Sequence, residues 1–198
     1  WMGFMTDEFG WSRQKGAWSV GAIVLILGLP TVLFFNQGVF DEYDYWAGTV
    51  SLVVFALAEI ILFAWVFGMK RGMQEINSGG DIQVPKIFGF VIKWITPILL
   101  LGVFLGALIT PAGNDWAGAL QNGWVLDNGS IIKQITNSGL KEQISAAQTA
   151  GDQALVDTLT EKKLYINASR LLLLAVFGGV AYLIYVAYRK RIKEGRFV

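Results

Sequence analysis

The stretch FDEYDYWAGTVSLVVFALAEIILFAWVFG, Phe40–Gly68, decides the fold class. Its apolar run from Tyr45 is long enough to cross a bilayer, because a spanning helix needs about 20 residues at about 1.5 Å rise each. One acid, Glu59, interrupts the run. A charge at membrane depth costs about 3 kcal/mol or more, so such a side chain usually faces a bundle interior or a water-filled path. The stretch therefore predicts a transmembrane helix that packs within a bundle.

Two acids lie on one face of this predicted helix. Steps of three or four residues lead from Asp44 through Gly48, Ser51 and Phe55 to Glu59, and residues at these spacings are neighbours on an α-helix. Glu59 has two interpretations: a relay for protons or ions, or a structural acid that is hydrogen-bonded to a neighbouring helix. We favour the structural interpretation.

The composition extends this fold class to the whole chain. Of its 198 residues, 54% are hydrophobic, the mean hydropathy is +0.50, and the apolar residues form long runs. The net charge of +1 indicates no nucleic-acid partner. Cys and His are absent, which excludes thiolate nucleophiles, disulfides, histidine triads and the usual zinc ligands. We expect an all-α, multispanning helical membrane protein whose partner is the lipid bilayer, with no enzymatic activity, no metal site and no cofactor in this chain.

Four spans and their connections account for the sequence. In chain order, the predicted segments are the end of a truncated helix with a cytoplasmic turn (1–16), a transmembrane helix (17–36), a short acidic outer loop (37–44), a transmembrane helix (45–68), a cytoplasmic loop with a turn at Gly79 and Gly80 (69–86), a transmembrane helix (87–110), a long outer loop with surface helices (111–166), a transmembrane helix (167–188) and a basic cytoplasmic tail (189–198).

Several residues predict local structure within these segments. Gly10 suits a helix end and Ser12 suits the cap of the next helix. Pro97 kinks the third span and frees the backbone carbonyl of Lys93, because proline has no N–H to donate. We also expect the surface helices of the long outer loop to break near Gly151.

Charge predicts the orientation, because Lys and Arg in short loops stay on the cytoplasmic side. The connector 37–44 contains no Lys or Arg, whereas the C-terminal tail is rich in them: Arg189, Lys190, Arg191, Lys193 and Arg196. The expectation is a multi-pass protein of the cytoplasmic membrane with both chain ends cytoplasmic and the segments 37–44 and 111–166 outside. The sequence begins with Trp1 rather than Met, so we also expect that an N-terminal portion is missing.

Several blocks in order carry a family resemblance. DEFGWSRQK, VFDEYDYWAGT, EIILFAWVFG, QEINSGGDIQVPKIF and KWITP resemble the neurotransmitter:sodium symporter family, in particular its bacterial amino-acid transporters of the leucine-transporter type. The resemblance covers roughly 4–110. It implies a twelve-helix fold with an inverted repeat around a midplane site, in which these four helices are the last four.

The resemblance also implies roles for three side chains. Asp44 is similar to the outer-gate carboxylate, which pairs with an Arg of the first helix, and Phe40 matches a residue that lines the outer vestibule. Asp7 is similar to the inner-gate carboxylate, which pairs with an Arg near the N-terminus. Read from the residues alone, Asp44 is equally an acid that favours a helix N-terminus, and Asp41 is better explained as a cap or loop acid.

The implied function is sodium-coupled symport of amino acids or related small amines by alternating access. By resemblance, the substrate and sodium ligands lie on helices upstream of Trp1, so Na⁺ and a small amino-acid-like substrate are expected for the full-length protein, together with the missing N-terminal helices as partners. A homodimer is a further hypothesis, since Gly178 and Gly179 suit close helix contact. The alternative is a stand-alone four-helix membrane scaffold or subunit without transport activity.

Overall fold

A computed structural model describes residues 1–78 and 81–195 of the chain. The expected turn at Gly79 and Gly80, and Arg196 of the basic tail, therefore lie outside the described residues. Regular structure in the described part is helical, apart from one isolated antiparallel bridge between Pro111 and Leu126. This confirms the all-α prediction.

Four helices of the described part are long and apolar enough to cross a membrane: Arg13–Leu33, Val39–Ile76, Lys86–Leu108 and Gln153–Lys193. The α-helical segments are α1 (Met2–Phe9), α2 (Arg13–Leu33), α3 (Val39–Tyr43), α4 (Ser51–Ile61), α5 (Met69–Ile76), α6 (Lys86–Phe90), α7 (Thr96–Leu108), α8 (Trp116–Asn122), α9 (Ile131–Thr136), α10 (Ser138–Ala150) and α11 (Gln153–Lys193). Three π-helical segments connect some of them: Asp44–Val50, Leu62–Gly68 and Val91–Ile95.

The first of two compact units joins the two ends of the sequence: it consists of Trp1–Tyr45 and the chain from Asp157 onward. Gly10 ends α1 with a left-handed φ of 67°, and the hydroxyl of Ser12 accepts the N–H of Lys15 at 3.3 Å to cap α2. Both predicted helix ends are confirmed. α1 and α3 each pack against α2.

The second unit is Trp46–Val156, in which α4 packs against α7. The indole Nε1 of Trp65 donates to the carbonyl of Lys93 at 3.1 Å. This is the carbonyl that the sequence predicts to be freed by Pro97, and the indole of Trp65 is a side-chain donor to it. The rings of Trp65 and Trp94 lie 5.3 Å apart beside this bond.

Two connections that were expected to be loops begin as helix. The acidic connector 37–44 was predicted as a loop, but α3 begins at Val39 because Gly38 takes a left-handed φ of 82° and reverses the chain. The acids that follow then lie in the first turn, where they favour the helix dipole. In the 69–86 loop, Gly68 takes a φ of 97° and α5 follows directly over Met69–Ile76.

The last helix exceeds the predicted span 167–188 at both ends. α11 has 41 residues, so the end of the expected outer loop 111–166 and the start of the expected tail 189–198 are both helical. The predicted break near Gly151 is confirmed, since this residue takes a left-handed φ of 73° between α10 and α11. Polar residues at 153–166 hid the continuation of the helix in the sequence.

The stripe that was predicted to connect Asp44 and Glu59 needs a correction. It assumed α-helical spacing throughout, but Asp44–Val50 is π-helical, with hydrogen bonds between residues five apart. Ser51 reflects this change, because its hydroxyl donates to the carbonyl of Trp46 at 2.7 Å. Positions three and four apart are therefore not stacked neighbours through this segment.

The long helices bury little of their surface within the chain. Only 6% of the most apolar window of each long helix is buried. Leu52, Val66, Ile98 and Leu174 are each more than three-fifths exposed. Apolar surface on this scale requires lipid or further helices to cover it.

Candidate functional site

The acidic residues at the start of α3 form the centre of the candidate site. Glu42 is buried and accepts two hydrogen bonds from Arg170 of α11: Nε donates to Oε2 at 2.7 Å and Nη2 donates to Oε1 at 3.1 Å. The side chains of Arg170 and Glu42 are only 16% and 8% exposed. A bidentate guanidinium–carboxylate pair of this kind fixes both position and orientation. It joins the start of α3 to the last helix of the chain.

Local packing brings α11 to this acidic turn. The ring of Tyr165 lies 4.6 Å from the ring of Phe34, which precedes the turn. The Cε atom of Lys162 lies 3.2 Å from the point that a Cβ on Gly38 would occupy. The lack of a side chain at Gly38 thus serves both the left-handed backbone and the close approach of Lys162. α11 therefore covers the turn with an aromatic ring and a cation.

Asp44, the expected outer-gate acid, is exposed. Its carboxylate forms no hydrogen bond or ion pair within the described part of the chain, in contrast to that of Glu42 two residues earlier. Asp41 is also exposed. Phe40, the expected vestibule residue, is 47% exposed and its ring lies 5.6 Å from that of Phe35. The connector therefore presents Asp44 and Phe40 at the surface of this chain.

A second ion pair lies near the C-terminal end of α11. Glu8 of α1 is buried and accepts hydrogen bonds from the guanidinium of Arg191, one of them from Nε to Oε2 at 3.0 Å. Lys190 Nζ donates to the backbone carbonyl of Glu8 at 2.5 Å. Asp7, the expected inner-gate acid, is exposed and forms no hydrogen bond or ion pair among the described residues.

Glu59 lies on α4 and is exposed in this chain. The structure gives its carboxylate no hydrogen bond or ion pair with another described residue. A hydrogen-bonding partner on a neighbouring helix, which the structural interpretation requires, is therefore not provided within residues 1–78 and 81–195. The structural role of Glu59 stays a prediction.

Among residues 1–78 and 81–195, no group of three or more Asp and Glu side chains is arranged to hold a metal ion. The acids of the candidate site instead differ in pairing and exposure. Two buried glutamates form ion pairs with arginines, whereas the aspartates close to them in sequence are exposed. An exposed carboxylate beside an apolar span can attract a cationic side chain from elsewhere.

Sequence reasoning missed both ion pairs. It found no cation for the acidic connector, although Arg170 adjoins the apolar run LLLLAVFGG. A charged side chain at the start of a membrane span needs a partner, so the position of Arg170 was the signal in the sequence for an ion pair. Arg191 was assigned only to the basic tail. Nothing in the sequence distinguishes Glu8 from Asp7 except its place on the buried face of α1.

The four long apolar helices, with charged pairs on either side of the apolar part of α11, define a multi-pass integral membrane protein. The chain belongs to the Sodium:neurotransmitter symporter family, whose model matches residues 3–131. The match confirms the family resemblance and extends past Thr110, where the recognisable blocks ended. This is a family of transporters rather than enzymes, in agreement with the expectation of no enzymatic activity.

Individual relatives are distant and longer. Sodium-dependent nutrient amino acid transporter 1 of Drosophila grimshawi is 23% identical over 157 residues, which cover 67% of this chain and 25% of that protein. The protein of the same name from Drosophila melanogaster is 23% identical over 105 residues, or 52% of this chain and 16% of its own length. An uncharacterized sodium-dependent transporter of Methanocaldococcus jannaschii is 28% identical over 104 residues, or 51% and 21%. The chain thus spans about a quarter or less of these curated relatives.

Proposed function

We propose that this chain is the C-terminal part of a sodium-coupled secondary transporter of amino acids or related small amines. Its family and the names of its relatives, which describe sodium-dependent amino acid transport, support this proposal. The four long helices are then the last four of a twelve-helix inverted-repeat fold of the leucine-transporter type in the cytoplasmic membrane. Na⁺ and the substrate bind mainly to helices that precede this chain.

The observation that carries the proposal is the contrast between Glu42 and Asp44. Glu42 is buried and fully engaged by Arg170, while Asp44 is exposed and forms no ion pair within the described residues. An Arg from another helix can therefore reach Asp44 and close the outer gate over bound substrate. Phe40 then lines the vestibule outside that gate.

Alternating access follows from two gate pairs that form at different times. The Asp44 pair forms when the outer side closes and water is excluded, and the Asp7 pair breaks when the inner side opens. A charge pair gains strength in a dry environment, so each pair biases the equilibrium between outward-open and inward-open states. Binding of sodium and substrate shifts this equilibrium only through its differential affinity for the two states.

The test of this function uses the full-length protein in proteoliposomes with an inward sodium gradient. We expect sodium-dependent uptake of an amino acid or small amine. Asp44→Asn keeps the size and most of the hydrogen bonding, and should lower the uptake rate at least about tenfold, which equals about 1.4 kcal/mol in the rate-limiting barrier. Asp41→Asn is the matched control and should change it much less. Normal uptake by the Asp44 variant with failure of the Asp41 variant contradicts the gate assignment.

The proposed orientation has its own test. In the proposal, both ends of the chain are cytoplasmic and the segment 111–166 is outside, following the distribution of Lys and Arg. Lys141 and Lys193 are both exposed, so cysteines at these positions can react with an impermeant thiol reagent. On intact cells, in a background without other reactive cysteines, the Lys141→Cys variant should be labelled and the Lys193→Cys variant should not. The reverse pattern refutes the orientation.

A further inference from the structure

Two arginines of α11, one near its middle and one near its C-terminal end, each bind a buried glutamate that lies close in sequence to an exposed aspartate. Near the middle of α11, Arg170 engages Glu42 through two hydrogen bonds of 2.7 and 3.1 Å, and Asp44 follows two residues later. Of the acids in this connector, Glu42 is buried and Asp44 is exposed. α11 thus determines which carboxylates of the connector are already occupied.

The remaining acid of the connector also lies near a cation of α11. Lys162 Nζ and Asp41 Oδ2 lie 3.8 and 3.9 Å from the same point, the position that a Cβ on Gly38 would take. The ammonium and the carboxylate therefore flank one glycine. Among the described residues neither Asp41 nor Asp44 forms an ion pair, but Asp41 shares this glycine with a cation of α11.

The same arrangement occurs near the C-terminal end of α11. Arg191 binds the carboxylate of buried Glu8, and Lys190 donates to its backbone carbonyl at 2.5 Å. Asp7, the preceding residue, is exposed and lies close enough to Arg191 to interact with it electrostatically. A buried glutamate held by arginine again stands beside an exposed aspartate.

The spacing of the two arginines matches a bilayer. Arg170 and Arg191 are about 31 Å apart along the axis of α11 at about 1.5 Å per residue, and the hydrocarbon core is about 30 Å thick. Residues 171–188 between them carry no charge. The two ion pairs can therefore lie at the two membrane interfaces, which are the levels at which an outer and an inner gate must close.

We propose that α11 selects the gate carboxylates: Arg170 and Arg191 occupy Glu42 and Glu8, so that an arginine arriving from another helix meets Asp44 or Asp7 rather than these glutamates. This inference rests on the proposed transport function. Without Arg170, the freed Glu42 competes with Asp44 for the gate arginine. Without Glu42, the freed Arg170 captures Asp44 within the same chain. Arg170 and Arg191 are thus positioning residues that act through the aspartates.

The experiment measures the initial uptake rate per folded molecule of the full-length transporter in proteoliposomes. Removal of either member of the pair, in Arg170→Gln or Glu42→Gln, should slow uptake at least about fivefold, because each leaves one charge that competes at the gate. Removal of both, in Glu42→Gln with Arg170→Gln, should restore uptake to within about twofold of the wild type, because no competitor remains. The control is Lys163→Gln, which removes a cation from the same helix and should have little effect.

A purely structural ion pair gives a different result. In that case Arg170→Gln slows uptake further even in the Asp44→Asn background, because the uncompensated buried charge of Glu42 acts independently of Asp44, and this outcome overturns the inference. A double variant that is no faster than the slower single variant contradicts it too. Wild-type uptake by Arg170→Gln, equal to that of Lys163→Gln, overturns it as well. If a single variant does not fold, the double variant alone decides: it must transport within about twofold of the wild type.

Parallel measurements separate this inference from the proposed function. Addition of Arg170→Gln to an Asp44→Asn background should cause no further loss of uptake, because Arg170 acts through Asp44. If Asp44→Asn slows uptake but the Glu42→Gln, Arg170→Gln double variant does not recover it, only the proposed selection by α11 is overturned. An Asp44→Asn protein that transports normally overturns the proposed gate itself. The same uptake measurements with Glu8→Gln, Arg191→Gln and Asp7→Asn test the second ion pair, near the C-terminal end of α11, independently.

Discussion

Trp65 provides a sharp test of how this fold compensates for a proline within a span. Its indole Nε1 donates to the carbonyl of Lys93 at 3.1 Å, four residues before Pro97. In a regular α-helix that carbonyl accepts the N–H of the residue four positions later, and proline has none. We therefore expect Trp65→Phe to destabilise the full-length protein through the loss of one donor.

The magnitude follows from the environment of the carbonyl. It lies about 10 Å into the helix that begins at Lys86, at about 1.5 Å per residue, where lipid offers no replacement donor. An unsatisfied buried carbonyl costs about 1–3 kcal/mol, whereas the net value of an ordinary hydrogen bond is about 1 kcal/mol. The indole of Trp65 is 53% exposed within this chain, which favours the lower half of that range. We expect a loss of about 1–2 kcal/mol from Trp65→Phe.

The assay is denaturant- or heat-induced unfolding of the purified full-length protein in detergent. Trp94→Phe is the matched control, because Trp94 packs against Trp65 at 5.3 Å and the structure gives its indole no hydrogen bond within the described residues. Pro97→Ala restores a backbone N–H and should recover most of the stability that Trp65→Phe loses. If Trp65→Phe and Trp94→Phe destabilise equally, and Pro97→Ala does not rescue, the indole is not acting as the substitute donor.

Two further predictions concern Glu59 and the glycines. Glu59→Gln removes charge but keeps hydrogen-bonding capacity, so the full-length variant should fold and keep its sodium dependence of uptake; a folded variant that loses this dependence favours the relay interpretation. A Cβ at Gly72 would lie 2.5 Å from the ring of Phe63, so Gly72→Ala should cost about 1–3 kcal/mol in unfolding free energy. Gly178 has open space around it, and Gly178→Ala should be neutral or stabilising by up to about 1 kcal/mol; equal effects at both glycines contradict the packing.

Local signals in the sequence predicted local structure well. Gly10, Ser12 and Gly151 each act through their own backbone or side chain, and the structure places a helix end or cap at all three. The effect of Pro97 on the carbonyl of Lys93 is equally local. The sequence did not identify the side-chain donor, Trp65, because that contact depends on how the π-helical segments Leu62–Gly68 and Val91–Ile95 pack.

Boundaries failed where polar composition suggested loops. The acidic connector 37–44 contains Asn, Gln, Gly and three acids, yet α3 begins at Val39 because Gly38 alone completes the reversal. The start of α11 at Gln153 was hidden in the same way, since a helix that extends beyond the membrane needs no apolar residues on its solvated faces. The composition of a segment therefore indicates whether it lies in lipid or in water more reliably than whether it is a helix or a loop.

The candidate site was predictable in part. The family blocks directed attention to Asp44 and Asp7, whose proposed partners belong to other parts of the proposed transporter. The pairs that do form within this chain join residues 128 and 183 positions apart, and no local pattern encodes such separations. For the same reason, the role of Glu59 cannot be derived from a chain that does not supply its neighbours.

The long sequence separation of these pairs has a consequence for biosynthesis. Glu8 and Arg191 are 183 residues apart, and translation at about 5–20 residues per second needs roughly 9–37 s to add that length. During this interval α1 and α2 have left the ribosome while their counter-charge has not been made. The first unit can therefore complete only after its last helix emerges. Until then, Glu8 depends on water, lipid headgroups or a chaperone of the insertion machinery for compensation.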